Sequence, residues 1–519
     1  MMHRWKARFL AVTLGVAALT PLAAQAEPAP ATMTLSIDTT KPGAAIEPEI
    51  YGQFAEHLGR DIYDGIWVGE DSPIPNVRGY RKDVLTALQQ LKIPVIRWPG
   101  GCFADQYDWR DGIGPRDQRP QRINSNWGGV PETNAFGTHE FMDFAELIGA
   151  KAYVAGNMGS MEPLAMMQWL EYMTASGNSD LARQRRANGR DKPWQVPVFG
   201  VGNETWGCGG NMTADYSAMM HRRYASFVRA APGAPTPIRV ASGSNSDDYK
   251  FTETLLREAR DQMDAVSLHY YTLPSGDWGK KGAALGFTEA EWAQTLSNAI
   301  RMDGMIAGHK AVMDIYDPQK RVALYVDEWG TWYDAAPGKD MGVLYQQNSL
   351  RDAMVAALTL NIFHKHTDRV KLAAIAQTVN VLQAMILTDA DKMVLTPTYH
   401  VFDMYKPFQG ATPFALAINA PSYSSGNASL PMVSVTAARG KDGKLWLALA
   451  NVDPHRAAHI ETGLKGTATG RILSGPMMDT HNSFDQPDSI TPHPFTTGTK
   501  GKMLTLDLPA KSVVVVSVK

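Results

Sequence analysis

The chain has 519 residues, of which 44% are hydrophobic and 20% are charged. These values are typical of a globular protein with a large apolar core and more than one domain. The formal net charge is −2 at pH 7, so long-range electrostatics favours neither nucleic acid nor an anionic membrane surface as a partner. Composition excludes those two classes, and the motifs must decide among the rest.

The first 26 residues have the pattern of an export signal. A basic region that includes Arg4 and Lys6 precedes an apolar run over residues 9–22, and Ala24-Gln25-Ala26 fits a cleavage site. The apolar run is shorter than the ~20 residues that a membrane span needs. We therefore expect a signal peptide over residues 1–26 and a mature protein exported to the periplasm or the medium.

Strand-like runs alternate with helical patterns eight times in the middle of the chain. A linker and one alternating strand near Leu35 occupy residues 27–46 and precede this region. The predicted strands are 49–54, 93–98, 152–156, 196–201, 238–242, 265–269, 322–326 and 372–376. The predicted helices are 80–91, 138–148, 163–175, 214–230, 252–263, 289–307 and 345–364. This alternation predicts the α/β class, with a (β/α)8 TIM barrel over residues 47–392. A doubly wound open sheet is the alternative, although no Gly-x-Gly-x-x-Gly motif follows a predicted strand.

The pattern changes after residue 392, where helical periodicity ends. Short alternating runs separated by turn residues follow, at 432–437, 445–451, 459–462, 470–473, 504–508 and 512–518. They predict a C-terminal β-sandwich domain over residues 393–519. The strand near Leu35 is expected to join this sandwich, because the barrel needs only eight strands.

Two glutamates follow buried strands in the same way. Glu204 comes after the apolar run 196–201, and Glu328 comes after the run 322–326. A carboxylate is costly at the end of a buried strand unless it is paired or solvated. Two carboxyl groups at one barrel mouth are the arrangement that cleaves a glycosidic bond, one as acid and one facing the sugar ring. The alternative interpretation makes each glutamate one half of a salt bridge.

Other polar side chains also stand at predicted strand ends. They include Glu56, Arg97, Asn203, His269 and Gln377. The active site of a TIM barrel lies at the carboxyl ends of its strands. Convergence of so many polar groups is hard to explain by packing alone.

The sequence offers little support for metal or cofactor chemistry. His364 and His366 are two apart, which is wrong for one helix face. The run 389–391 begins like a calcium loop but lacks the required glycine and closing glutamate. The two cysteines, Cys102 and Cys208, both follow glycines in loops, and they could form a disulfide or remain free thiols. We expect neither a metal nor a cofactor.

Several stretches together resemble glycoside hydrolase family 51, the α-L-arabinofuranosidases. They are I-Y-G-Q-F-A-E-H-L-G-R at 50–60, R-W-P-G-G at 97–101, W-R-D-G-I-G-P-R at 109–116, N-A-F-G-T at 134–138, G-N-E at 202–204, D-E-W at 327–329 and A-Q-T-V-N-V at 376–381. The resemblance covers residues 45–410, and the predicted sandwich matches only loosely.

The resemblance implies a retaining mechanism, with Glu204 as acid/base and Glu328 as nucleophile. The predicted substrate-binding residues are Glu56, Cys102, Asn203, His269, Tyr271, Trp332 and Gln377. Of these, Cys102 stands where some family members carry Asn, which puts that sugar contact in question, and His269 is included for its place at a strand end.

The expected function is that of an exported retaining glycoside hydrolase. It would release terminal non-reducing α-L-arabinofuranosyl residues from arabinose-containing polysaccharides or oligosaccharides by double displacement. Family members need no metal and are frequently oligomeric, so a homo-oligomer is expected. Two alternatives remain: a β-xylosidase or β-glucanase on the same barrel, and a non-catalytic carbohydrate-binding protein.

Overall fold

The computed structural model describes residues 28–335 and 343–519, and the predicted export signal lies outside this range. Its strands up to residue 395 are, in chain order, β1 (Ala31–Pro42), β2 (Gly52–Phe54), β3 (Asn76–Val77), β4 (Tyr80–Arg81), β5 (Val95–Trp98), β6 (Arg122–Ile123), β7 (Pro131–Glu132), β8 (Lys151–Gly156), β9 (Val198–Val201), β10 (Ile238–Asn245), β11 (Ala265–Thr272), β12 (Ala323–Thr331), β13 (Val370–Ala376), β14 (Ile386–Asp389) and β15 (Lys392–Leu395).

Eight of these strands form a closed parallel barrel. Around the barrel the order is β10, β11, β12, β13, β2, β5, β8 and β9, and β9 pairs with β10 to close it. Strands such as β9 are buried along their whole length, because the barrel interior covers one face and helices cover the other. The predicted (β/α)8 barrel is confirmed, and closure of the sheet excludes the open doubly wound alternative.

The helices among the described residues pack mainly around this barrel. They are α1 (Lys82–Leu91), α2 (Thr138–Ile148), α3 (Pro163–Thr174), α4 (Asp180–Ala187), α5 (Ala214–Ala225), α6 (Tyr249–Ala259), α7 (Glu289–Tyr316), α8 (Leu350–Lys365) and α9 (Pro397–Tyr405). Two were not predicted, α4 and α9. Helix α4 reads D-L-A-R-Q-R-R-A and buries only Ala182 and Arg185, so it has no apolar periodicity to reveal it.

The C-terminal region is built on one large sheet. Its strands are β16 (Thr412–Ile418), β17 (Ser422–Ser425), β18 (Ala428–Pro431), β19 (Val433–Arg439), β20 (Leu445–Asn451), β21 (Ala458–Lys465), β22 (Ala468–Ser474), β23 (His493–Thr496), β24 (Gly498–Lys500), β25 (Met503–Leu508) and β26 (Ser512–Val518). The ten-stranded order is β23-β22-β26-β20-β19-β16-β1-β21-β25-β24. The strand near Leu35 therefore lies in this sheet, where β1 pairs with β16 and β21.

The junction between barrel and sheet differs from the expected pattern. Helix α9 lies beyond residue 392, where only strands were predicted, and it packs against α1 and α8 of the barrel. On another side, the indole N–H of Trp292 in α7 donates to the carbonyl of Val452, 2.9 Å away.

In residues 28–335 and 343–519, no helix is both long enough and apolar enough to cross a membrane.

Candidate active site

Glu204 stands on a sharp turn at the exit of β9. Gly202 has φ 81° and Glu204 itself has φ 40°, a left-handed conformation that a side-chain-bearing residue rarely adopts. The N–H of Asn203 donates to Asp105 Oδ2 at 2.9 Å, and the N–H of Gly207 donates to the Glu204 carbonyl at 2.7 Å. These bonds hold the turn that directs the Glu204 side chain into the barrel mouth.

Glu328 lies within β12 and is held by two donors. In the barrel register it is paired with His269 of β11. Arg97 Nη1 donates to Glu328 Oε1 at 2.7 Å, and the Tyr271 hydroxyl donates to Oε2 at 2.9 Å. Arg97 Nη2 also donates to Asn203 Oδ1 at 2.5 Å. One buried guanidinium therefore positions both glutamate-bearing segments.

His269 bridges the two glutamates. Its Nδ1 lies 2.8 Å from Glu204 Oε1 and 3.5 Å from Glu328 Oε2, and its Nε2 lies 3.3 Å from Asp327 Oδ1. One oxygen of each glutamate and one nitrogen of His269 lie within 4.8 Å of one another. The structure thus brings Glu204 and Glu328 into one constellation, as the sequence pattern predicted for a two-carboxylate site.

The electrostatics of this constellation is strongly coupled. Burial raises the pKa of Glu204, and the charge of Glu328 raises it further, against the opposing effects of His269 and Arg97. Burial lowers the pKa of His269, but Glu328, Asp327 and Glu204 outweigh burial and raise that pKa to about 10. At neutral pH, His269 is therefore a cation. The raised pKa of Glu204 favours the protonated form of its carboxyl group.

Glu56 occupies the inner end of the site and accepts several hydrogen bonds. Its Oε1 receives the N–H groups of Gly101 and Phe103 and the indole N–H of Trp127, at 2.9, 3.1 and 3.0 Å. Its Oε2 receives the side-chain amide of Gln377 at 2.9 Å. Burial raises the pKa of Glu56, with a further contribution from the charge of Glu328.

Gly100 and Gly101 let the loop after β5 pass close to the carboxyl groups of Glu56 and Glu328. A Cβ at this position would lie 2.8 Å from Glu328 Oε1 and 3.4 Å from Asn203 Nδ2. A Cβ at the preceding Gly100 would lie 2.6 Å from Glu56 Cγ. This close backbone approach explains the Gly-Gly pair in the sequence.

These groups open into a cavity of about 310 Å³. It is lined by Glu56, Leu58, Gly101, Cys102, Trp127, Glu204, Trp206, Asn245, Tyr271, Trp278, Glu328, Trp332, Leu344, Gln377 and Leu382. Of the predicted site residues, Asn203 and His269 stand behind this lining and orient Arg97 and the two glutamates. Gln377 Oε1 is buried without a hydrogen-bond partner among the described residues, which leaves an acceptor for a ligand hydroxyl.

Cys102 and Cys208 form a disulfide, which settles the alternative left open by the sequence. The bond joins the loop after β5 to the loop after Glu204, and Cys208 Sγ lies 3.6 Å from Glu204 Oε2. Asp105 connects the same two loops through Asn203 and also accepts the N–H groups of Met158 and Gly159. The turn that carries Glu204 is therefore fixed both covalently and by hydrogen bonds.

Several side chains of the site were not among the predicted site residues, and they include Trp127, Trp278 and Asp105. The tryptophans stand in glycine-containing polar loops, S-N-W-G-G and G-D-W-G, where an isolated large aromatic residue is a usable indication of a binding surface. Asp105 carries no comparable pattern, because its role depends on three backbone N–H groups from distant positions.

Neither possible metal-ligand group in the described part of the chain favours a cation. The first is Cys102, Glu204 and Cys208, but the disulfide consumes both thiols. The second is Glu204, His269 and Glu328, but Arg97 already neutralises Glu328 and His269 is protonated at neutral pH. A metal would have to displace that proton against the nearby guanidinium charge.

A pair of carboxyl groups facing one cavity at the carboxyl end of a TIM barrel defines the class of barrel glycoside hydrolases. Two family profiles match the chain: "Alpha-L-arabinofuranosidase 1 domain" over residues 87–281 and "Alpha-L-arabinofuranosidase C-terminal domain" over residues 327–512. A Bacteroides ovatus protein named an intracellular exo-α-L-arabinofuranosidase is 48% identical over 98% of this chain and 99% of its own.

Solved structures give the same result. The family 51 arabinofuranosidase of Xanthomonas axonopodis pv. citri is 52% identical, with a TM-score of 0.92 over 94% of this chain and 99% of that one. The α-L-arabinofuranosidase of Thermotoga maritima, solved as an arabinose complex, is 31% identical, with a TM-score of 0.82 over 94% and 99% of the two chains. The chain belongs to glycoside hydrolase family 51, the α-L-arabinofuranosidases.

The prediction of an exported protein is contradicted by these comparisons. The Bacteroides ovatus relative aligns over almost the whole chain and is named an intracellular enzyme. The prediction depended on residues 1–26, whose charge and apolar pattern alone indicated export, and these residues lie outside the described range.

Proposed function

We propose that this glycosidase releases terminal non-reducing α-L-arabinofuranosyl residues from arabinose-containing polysaccharides or oligosaccharides with retention of configuration. The observation that carries the proposal is the proximity of Glu204 and Glu328, each with an oxygen within the same 4.8 Å constellation. Retaining enzymes hold their carboxyl groups about 5–5.5 Å apart, whereas inverting enzymes need about 6.5–9.5 Å to admit a water. The close spacing supports double displacement.

In the first step, Glu204 donates its proton to the departing oxygen while Glu328 attacks the anomeric carbon. The raised pKa of Glu204 keeps a proton available for this transfer. The hydroxyl of Tyr271 and the guanidinium of Arg97 fix the two oxygens of Glu328, so the nucleophile is oriented before the substrate arrives. The product of this step is a glycosyl ester on Glu328.

In the second step, Glu204 takes a proton from water, which attacks the ester and releases arabinose. Formation of the ester removes the negative charge of Glu328, which is one of the causes that raise the pKa of Glu204. The pKa of Glu204 therefore falls, and its ionised form becomes available as a base. His269, a cation 2.8 Å away, stabilises that ionised form.

The remaining predicted residues hold the sugar. Glu56 Oε2 and Gln377 Oε1 offer acceptors to ring hydroxyls at the inner end, and Trp332 and Tyr271 supply aromatic surface. Asn203 acts beside Glu204, and Cys102 lines the wall through its disulfide. A cavity of about 310 Å³ lies at the small end of the usual range for ligand sites, which suits removal of one terminal sugar.

The proposal is tested by the stereochemistry of the product. Proton NMR during the first minutes of hydrolysis should show α-arabinofuranose before mutarotation. Glu204→Ala should lose most activity on a poor leaving group and regain part of it with azide on an activated substrate, whereas Glu328→Ala should not recover with retention. The exposed Glu162→Ala is the matched control and should keep wild-type rates. Release of the β anomer first would contradict the proposal.

A panel of nitrophenyl glycosides separates the alternatives. Cleavage of the α-L-arabinofuranoside, with at most traces on β-xylopyranoside and β-glucopyranoside, is the expected result. A preference for either pyranoside would favour the alternative activity, and no hydrolysis of any substrate would favour a binding protein.

A homo-oligomer is part of the proposal. Leu164 on α3 and Tyr216 and Met219 on α5 are exposed, and α3 and α5 are in contact. Exposed apolar side chains on adjacent helices are typical of subunit contacts. Light scattering coupled to gel filtration should give a multiple of the monomer mass, and a monomer at micromolar concentration would contradict this part.

A further inference from the structure

The rim of the cavity is chemically uneven. One side of the rim is formed by Trp206, Asn245 and Trp278. These residues lie in the segments at or after β9, β10 and β11, and these three strands are consecutive around the barrel. Glu56 and Gln377 lie at the ends of β2 and β13 on the far side. The acid Glu204 therefore shares its side of the mouth with two tryptophans and an amide.

This side of the mouth must receive the leaving group. The proposed acid protonates the oxygen between the two sugars, so the departing group begins at Glu204 and continues outward. Trp206 and Asn245 stand close to the acid, on the loop that carries it and on the neighbouring strand. Trp278 stands farther along the chain, in the loop between β11 and α7.

Trp278 presents a large, half-open ring to this region. Its indole packs edge-to-face with Trp332 at a centroid distance of 5.2 Å and an interplanar angle of 81°, and it also contacts Tyr271. The residue nevertheless remains 49% exposed. A tryptophan that only anchored its loop would be expected to bury more of this surface.

The loop that carries Trp278 is fixed by hydrogen bonds. Asp334 accepts the N–H groups of Lys281 and Gly282 and donates its own N–H to the Gly282 carbonyl. Arg351 Nη2 donates to the Ala283 carbonyl at 2.7 Å. The ring is thus held in place before a ligand arrives, which lowers the entropy cost of stacking against it.

We propose that Trp278 is the stacking platform for the sugar ring of the leaving group, and that it makes the enzyme selective for substrates whose leaving group is itself a sugar. This inference rests on the proposed function and deepens it. The apolar C–H face of a sugar ring covers an indole face, and burial of that surface favours binding. A leaving group without a ring makes no such contact.

The experiment compares two substrates that share the arabinofuranosyl group and an alkoxide leaving group. One is α-1,5-arabinotriose, and the other is methyl α-L-arabinofuranoside, which lacks the second ring. In Trp278→Ala, the ratio of kcat/KM for the triose to kcat/KM for the methyl glycoside should fall about tenfold. Phe227→Ala is the matched control, because Phe227 is an aromatic residue of similar exposure (43%) that lies just after the C-terminal end of α5. The ratio for this variant should not change.

Each outcome decides the inference. An unchanged ratio in Trp278→Ala overturns it. If the ratio is unchanged because kcat/KM falls equally on both substrates, the ring only supports Trp332. Should Trp278→Ala fail to fold, Trp278→Phe keeps a smaller ring and should lower the ratio about threefold, with no change counting against the inference. If the wild type hydrolyses neither substrate, the proposed function fails instead, so the two failures are distinguishable.

Discussion

The disulfide between Cys102 and Cys208 offers a perturbation whose size follows from the structure. Its half-cystines are 106 positions apart, and the chain-entropy relation for a loop of that length gives roughly 4.7 kcal/mol of stabilisation, acting through the unfolded chain. Chains with more than one domain generally unfold in more than one step, so a single free energy of unfolding is not well defined for them. The expected effect is therefore a lower unfolding midpoint and a shorter half-life at fixed temperature.

Loss of the disulfide also affects the turn that carries Glu204. Cys208 Sγ lies 3.6 Å from Glu204 Oε2, so loss of the disulfide frees the loop that carries Glu204, the proposed acid. The hydrogen bond between Asp105 and Asn203 remains, and it limits the displacement. We expect kcat to fall about tenfold, less than the ~100-fold that a misplacement of 1 Å can cost.

The assay measures thermal unfolding and kcat for oxidised wild type, for wild type reduced with dithiothreitol, and for the double variant Cys102→Ser, Cys208→Ser. Reduced wild type and the double variant should agree, and dithiothreitol should have no effect on the double variant, which controls for the reagent. A double variant with the midpoint and kcat of oxidised wild type would refute the reasoning.

Three further predictions concern the carboxyl pair. Gly101→Ala should lower kcat at least tenfold with little change in the thermal midpoint, because its methyl group would lie 2.8 Å from Glu328 Oε1; full activity would count against the packing described. In the proposed mechanism Glu204 must be protonated to act, and its pKa is raised from 4.5. We therefore expect kcat/KM to fall as the pH rises through that raised pKa, and a fall centred at pH 4.5 would contradict the assignment. Arg97→Lys should lower kcat about 100-fold, because an ammonium lacks the planar fork that bonds Glu328 and Asn203 together; kinetics within threefold of wild type would show that the fork is dispensable.

The barrel could be predicted because its strands are short apolar runs with little competing pattern. Segments such as Val198–Val201 are buried throughout, and eight such runs between amphipathic helices have few alternative folds. Helix α4 escaped prediction because half of its residues are charged and it has no apolar periodicity. Helix α9 escaped because P-T-Y-H-V-F-D-M-Y mixes aromatic and β-branched residues that favour strands locally, and its helical form depends on packing against α1 and α8.

The meeting of the two glutamates at one end of the barrel could also be predicted, but their surroundings could not. Glu204 follows β9 and Glu328 lies near the carboxyl end of β12, so the barrel brings them to one end. Arg97 contacts both Glu328 and Asn203, and His269 lies between the two glutamates. Both arrangements depend on side-chain geometry across four strands. No periodicity in a single sequence contains that information.

The most direct test of the central claim is to trap the covalent intermediate. The enzyme is incubated with a 2-deoxy-2-fluoro-α-L-arabinofuranoside that carries a good leaving group. The fluorine slows both steps, whereas the good leaving group allows the first step to proceed, so the ester should accumulate. Peptide mass spectrometry should then find the added fluoro-sugar on the peptide that contains Glu328, with Glu204 unmodified. The account would be contradicted if the enzyme hydrolysed the same arabinofuranoside without fluorine but formed no adduct with the fluorinated one. An adduct on a residue other than Glu328 would contradict it as well.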